Sequence, residues 1–411
     1  MSIINQLIVL CAFMLASSGQ RSVKPEWGFF GHKKINRMAV FTLPQEMIGF
    51  YKKHIEYVTE HSIDPDKRRY NTDYEAIRHY IDLDNFGELP FDNLPRKFSE
   101  AIAFNSEVYL LTGKSDSTLL MNTSDYSDFR IKQMKNDKCS IETEDFIDWN
   151  QSLIERFGQR MNYTEEFGAD EFPRWLNISP QLGRGKIAVV DKFSEHGIAP
   201  FYLEKIYFDL IIAFRNYDGK KILQLSSDIG HYIADIHVPL HTTRNYNGAD
   251  TDQLGIHAFW ETRLPELYAE TSYDLMVGKA DFISDENKYF WDTVLRSHEL
   301  LDEVFAVEKK LSQSFPSDQQ YCYEERNSRT VRLECEEYAR SYHAEMNGMV
   351  EERMRESIKG VGSIWFSAWV SAGQPDLSTL IGDINFGEEE RSAAQETQVK
   401  FGDIKGRKHS N

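Results

Sequence analysis

Gly230-His231-Tyr232-Ile233-Ala234-Asp235-Ile236-His237-Val238-Pro239-Leu240-His241 places three histidines and an aspartate in one short run. His231 and Asp235 are four residues apart, so on a helix they share a face one turn apart. Pro239 has no N–H to give and clashes with the preceding turn, so the helix must break just before it. The break lets His241 turn back toward the same space. A second pair follows in Gly255-Ile256-His257-Ala258-Phe259-Trp260-Glu261, where His257 and Glu261 repeat the four-residue spacing. Neutral imidazole and carboxylate are ligands that a borderline-soft divalent cation such as zinc accepts. A lone histidine is more often a surface or capping residue, and a His-x-x-x-Asp pair is usually solvated. Here the five residues His231, Asp235, His241, His257 and Glu261 fall within one window, residues 231 to 261, of a chain with 12 histidines in 411 residues. That conjunction points to a metal site.

The composition bounds the rest. Hydrophobic residues make up 41% and aromatics 13% of the chain, enough for a substantial core. The formal charge of -18 repels polynucleotides and anionic membranes at long range, which argues against a processive duplex-DNA binder. Bound cations would reverse the sign locally. Residues 1–19 read as a secretory signal: the apolar run Leu7 to Ala16 is too short to span a bilayer and is followed by the small residues Ser17, Ser18 and Gly19. The expectation is export, secreted or periplasmic. Cys11 would leave with the signal. Of the remaining cysteines, Cys322 and Cys335 either close a local loop, leaving Cys139 odd, or all three are free thiols.

After a polar lead, Trp27-Gly28-Phe29-Phe30-Gly31-His32 opens a helical pattern through Ile35, Met38, Ala39 and Val40. A second helix is expected from Pro44 to Thr59, others over Tyr202 to Phe214, Lys220 to Ile236, Trp291 to Leu311 and Cys335 to Ala372. Gly360 and Gly362 in the last mark a kink or a close-packing point. Residues 86–200 are less regular, and Ser115 to Asn136 reads as an insertion loop. Sequons begin at Asn122, Asn150, Asn162 and Asn177. Few stretches alternate with period two. The reading is therefore an all-α fold, a single multi-helix domain over residues 20–384 around a buried metal cluster, with a polar tail, 385–411, expected to be disordered.

The pattern resembles a superfamily that unites zinc-dependent phospholipases C and extracellular single-strand-specific zinc nucleases. Its motifs look like Trp27 with His32, Asp64 with His79 in Arg78-His79-Tyr80-Ile81-Asp82, then His231, Asp235 and His241, then His257 and Glu261. The resemblance covers roughly residues 27 to 380. It implies an all-helical fold and three zinc ions. Asp64, His79, His231 and Asp235 would hold one; His241, His257 and Glu261 a second; His32, Asp235 and Trp27 the third, with Asp235 bridging. Asp66 is the alternative to Asp64. The resemblance also implies hydroxide generation from a zinc-held water and in-line attack on a phosphodiester. Arg68 or Arg69 would stabilise the extra transition-state charge, and Arg69 is the chosen catalytic candidate with Asp64. The ten contacts so implied, counting Asp235 twice, leave open positions on three zincs, as catalysis requires.

The chain departs from the pattern in places. Members of the superfamily use a free N-terminal amine on the early Trp, so the third site implies processing between Glu26 and Trp27. Glu261 and the sixteen-residue gap from His241 to His257 are phospholipase-like, whereas the five-residue step from Trp27 to His32 is nuclease-like. Asn245-Tyr246-Asn247-Gly248 stands where the nucleases carry a double-Gly-Asn turn. The expected function is a secreted zinc-dependent phosphodiester hydrolase, phospholipase C-like, with peripheral membrane contact and no stable protein partner. A single-strand-specific nuclease is the alternative within the class, and a non-catalytic secreted zinc-binding protein the alternative outside it.

Overall fold

The computed structural model of the chain describes residues 28–69, 73–113, 116–126, 128, 130–157, 164–167, 176–326, 329–382 and 384. The signal-like stretch 1–19, Trp27 and the tail 385–411 lie outside these residues.

The helix Gly219–Ile236 is the axis of the molecule. It starts where Asp218 accepts from the Lys221 N–H at 3.0 Å, filling one of the unpaired donors of the first turn. It stops at His237, and the Val238 backbone is extended ahead of Pro239. Ile222, Leu223, Ile229, Ile233 and Ile236 are all buried. Each such side chain contributes about 1.5–3 kcal/mol by leaving water. This helix packs against Phe29–Ala39, Ala199–Arg215 and Met349–Ser371 around one apolar core. It therefore cannot turn, and the face carrying His231 and Asp235 is fixed.

Two close approaches set the spacing of these helices. A Cβ on Gly230 would lie 2.1 Å from Asn36 Oδ1, and one on Gly362 would lie 1.8 Å from Thr42 Oγ1. Asn36 is fully buried and donates to the carbonyls of Ser227 at 3.1 Å and Val58 at 3.2 Å. Gly230 thus lets the Phe29–Ala39 helix touch the axis helix, which brings His32 onto His231. Gly362 is a close-packing point, since Met349–Ser371 runs through it as one helix.

The all-α expectation needs correction: the fold is mostly helical but carries three small antiparallel sheets. β1 (Ser106–Leu111), β2 (Ser117–Asn122), β5 (Thr164–Phe167) and β7 (Lys186–Asp191) form one, in the order β2-β1-β7-β5. β3 (Gln133–Lys135), β4 (Cys139–Glu142) and β6 (Asn177–Ile178) form the second. The expected loop Ser115 to Asn136 therefore supplies β2 and β3. These strands and the helix Thr143–Phe157 share a separate core of Val108, Leu110, Met134, Ile141, Phe146 and Val189. β8 (Tyr321–Arg326) and β9 (Arg329–Glu334) form a hairpin.

Three expected helices are each split. Pro44 to Thr59 breaks at His54, Trp291 to Leu311 breaks at Leu300, and Cys335 to Ala372 breaks where Asn347 and Gly348 adopt positive φ. Cys322 and Cys335 form a disulfide across the foot of the hairpin, and Cys139 is free and buried. Asn150 is fully buried with its amide donated to the Phe146 carbonyl, so that sequon has no room for a glycan. Among the described residues, no helix is long and apolar enough to cross a membrane.

Candidate metal centre

Three groups of buried side chains bring potential metal-ligating atoms within 4.8 Å of one another: His32, His231 and Asp235; Asp66, His79 and His231; and His241, His257 and Glu261. They adjoin one another under the break at Pro239. Glu261 sits in Phe259–Arg263, a π-helical segment whose wider turn departs from the ordinary helical step.

The hydrogen bonds fix the imidazole tautomers. His231 Nδ1 lies 2.8 Å from the Ser62 carbonyl, and His241 Nδ1 lies 2.8 Å from the His79 carbonyl. A carbonyl can only accept, so both Nδ1 atoms carry hydrogen, and in the neutral ring both Nε2 atoms present a lone pair. Burial, followed by the charges of His32 and Arg69, pushes the His231 imidazole well below its usual range, so that ring is neutral. Its Nε2 nevertheless faces Asp235 Oδ2 at 3.3 Å and Asp66 Oδ1 at 3.7 Å. His241 Nε2 likewise faces Glu261 Oε2 at 3.2 Å. These electron-rich atoms can stand together only with a proton or a cation between them: a proton on a neighbouring ring, His79 Nδ1 being 3.0 Å from His231 Nε2 and His257 Nε2 2.9 Å from His241 Nε2, or a metal ion. Two ligands about 2.0–2.1 Å from a tetrahedral zinc stand about 3.3 Å apart, close to the separations of His231 Nε2 from Asp235 and of His241 Nε2 from Glu261.

Asp235 and Glu261 span the groups. Asp235 Oδ2 is 2.9 Å from His79 Nδ1, while Oδ1 is 3.6 Å from His32 Nε2 and 3.5 Å from His241 Nδ1. Glu261 Oε2 is 2.7 Å from His257 Nε2, while Oε1 is 3.6 Å from His32 Nε2. Burial works against the Glu261 charge, but His241 and His257 beside it hold its carboxyl well below the usual carboxylate range. The His79 imidazole is also pushed well below its usual range, by burial and then by Arg69 and the neighbouring histidines. A neutral imidazole, as in His79 and His231, and an ionised carboxylate, as in Glu261, are the protonation states a metal needs. These buried His, Asp and Glu groups could hold metal ions.

The sequence-predicted residues divide as follows. His32, His79, His231, Asp235, His241, His257 and Glu261 come together. The His32 ring stacks on His231 with centroids 3.9 Å apart. Asp64 does not join them: its carboxylate accepts from Lys67 at 2.8 Å and pairs with His61 at 2.6 Å, part-exposed. Asp66 stands in its place, 3.8 Å from His79 Nδ1, because Pro65 opens the short helix Asp64–Arg68 and turns the next carboxylate inward. Arg69 is bound to Asp66 Oδ1 at 3.1 Å, at the edge of the cluster. Arg68 turns away to Asp228 at 3.0 Å. Trp27 lies outside the described residues. Its neighbour Gly28 lines an apolar cavity with Ile35, Trp260, Val350 and Met354, beside His32 and Glu261. His237 is buried off the ligand face, with its Nδ1 donated to the Ile233 carbonyl at 2.7 Å.

Sequence reasoning missed Glu75. It is buried against His79, and its signal was the same four-residue spacing, Glu75 to His79. No family model matches the chain, and none of the characterised proteins or solved structures compared with it does.

Proposed function

We propose that this chain is an exported zinc-dependent phosphodiester hydrolase, phospholipase C-like in specificity, working as the superfamily it resembles works. The observation that carries the reading is the convergence of imidazole nitrogens and carboxylate oxygens in a buried cluster. Asp66, His79, His231 and Oδ2 of Asp235 would hold one zinc; His241, His257 and Glu261 a second; His32 with Oδ1 of Asp235 a third. Zinc, when bound, supplies a water that ionises near neutral pH and positive charge for phosphate oxygens.

The chain's own residues do the rest. Asp235 and Glu261 each offer one oxygen to either side, which would hold neighbouring cations at a fixed spacing. The carbonyls of Ser62 and His79 lock the rings of His231 and His241, so no reorientation is needed on binding. Arg69, unlike Arg68, stands at the cluster edge where it can meet a phosphate oxygen as negative charge builds. The Cys322–Cys335 disulfide fits an oxidising compartment and supports export. The charge of -18 opposes a polynucleotide more than a zwitterionic phospholipid such as phosphatidylcholine.

The test is an assay of zinc-loaded protein against phosphatidylcholine, a soluble phosphodiester chromogen and single-stranded DNA. The reading expects release of phosphocholine and chelator-sensitive cleavage of the chromogen. Cleavage of DNA alone would make the chain the nuclease of the pair. Zinc-loaded protein inert on all three would leave a zinc-binding protein without this chemistry.

A further inference from the structure

A buried ionic network lies directly behind His79, outside the three ligand groups. Its centre is Glu75, which is 1% exposed. Oε2 accepts from Arg78 Nη1 at 2.7 Å, and Arg68 Nε lies 3.5 Å away. Oε1 accepts from the Tyr232 hydroxyl. Arg68 is itself held by Asp228, and Arg78 lies over the Tyr202 ring at 4.4 Å. A carboxylate oxygen has two acceptor sites, so Oε1 keeps one after the tyrosine is served. His79 Nε2 lies 3.9 Å from that oxygen, about 1 Å beyond a hydrogen bond. That nitrogen is buried and has no hydrogen-bond partner, while the other ring nitrogen, Nδ1, faces Asp66, Asp235 and His231.

We infer that Glu75 is a positioning residue for His79: on metal binding its Oε1 accepts a hydrogen bond from Nε2–H, closing the present 3.9 Å, so that Nδ1 presents its lone pair to the metal. This rests on the metal-centre reading above. The ligand histidines His231 and His241 each give their second nitrogen to a main-chain carbonyl. His79 has no carbonyl there, and Glu75 is the acceptor in that place. A metal-bound imidazole needs such an acceptor to fix its tautomer and raise its basicity. Two arginines beside Glu75 make the acceptor an anion. The network therefore does more than join helices: it keeps a charged acceptor in a dry place behind one ligand.

The experiment is a zinc titration against a chromogenic chelator on wild-type, E75Q and Y232F proteins, with a thermal melt on each. Both variants remove a buried partner and lower the melting temperature. E75Q also removes the anionic acceptor, and the tightest zinc affinity falls about 10- to 100-fold. Y232F frees Oε1 for His79, and its zinc affinity stays at or above the wild-type value. Wild-type affinity in E75Q, or equal losses in both variants, overturns the inference. Wild-type protein that takes up no zinc overturns the metal-centre reading itself. If E75Q does not fold, E75D carries the test. It keeps the charge but withdraws the oxygen by one methylene, so affinity falls again, and an unchanged affinity refutes the role.

Discussion

The main-chain carbonyl of His79 accepts from Nδ1 of His241 at 2.8 Å, while the His79 ring faces Asp235 at 2.9 Å. One residue thus serves two ligand groups: its side chain belongs to the first, and its carbonyl sets the tautomer in the second. Loss of order at position 79 should be felt in both. The Ile81 N–H bonded to the His241 carbonyl at 3.0 Å closes the same junction from the other strand of chain.

His241 and His237 should behave differently, although only four residues separate them. His237 lies six residues past His231, about 600° round the helix and off the ligand face. Elemental analysis of His241→Ala should show one metal fewer per chain and nearly all activity lost. His237→Ala should retain its metal. Its cost should appear in stability, because the ring is buried and its Nδ1 donates to the Ile233 carbonyl at 2.7 Å.

Asp66→Asn should abolish hydrolysis and weaken zinc binding, whereas Asp64→Asn should change both by less than about threefold. The cost of losing a partly exposed ion pair with Lys67 is small, about 0–1 kcal/mol. Kinetics on the chromogenic phosphodiester rank the two variants directly. The opposite order would return the ligand role to Asp64.

Gly230→Ala should lower stability by about 1–3 kcal/mol, since its Cβ would lie 2.1 Å from Asn36 Oδ1. The first helix must retreat to relieve the clash, and with it His32. A urea midpoint reads the first effect. Loss of the His32-dependent metal, with the His241 group still loaded, reads the second.

Metal-free protein should lose stability as pH falls from neutral. His79, His231 and His237 are all pushed well below the usual imidazole range, chiefly by burial. The unfolded chain then binds more protons than the folded one below about pH 6.5. The stabilisation is complete above that value and declines on acidification, by up to about 1.4 kcal/mol per pH unit for each ring. Glu261, depressed in the folded state by His241 and His257, adds a further loss below the ordinary glutamate range. Urea midpoints at pH 7 and pH 5.5 test the sign, and a higher midpoint at pH 5.5 contradicts it.

How much of this was legible in the sequence depends on how local each signal was. His231 with Asp235 and His257 with Glu261 are single-turn pairs, and the break at Pro239 is a covalent fact, so the ligand face could be read directly. Asp64 and Asp66 could not be separated by spacing, because the choice depends on how Pro65 turns a five-residue helix. Glu75 was hidden because a carboxylate four residues before a histidine usually faces water, and only the tertiary approach of Tyr232 and two arginines gives it a role. The sheets were missed for a different reason. β1 alternates buried and half-buried residues, but its outward positions include Tyr109 and Leu111, which erase the polar half of the pattern. β6 has two residues and β3 three, too few for any periodicity to show.

The central claim is that the buried His, Asp and Glu groups are a metal centre, and metal content tests it most directly. Protein produced with ample zinc, freed of loosely held ions and measured by elemental analysis, should carry about two to three zinc ions per chain, at most one for each of the three donor groups. Less than one bound metal per chain would contradict the account.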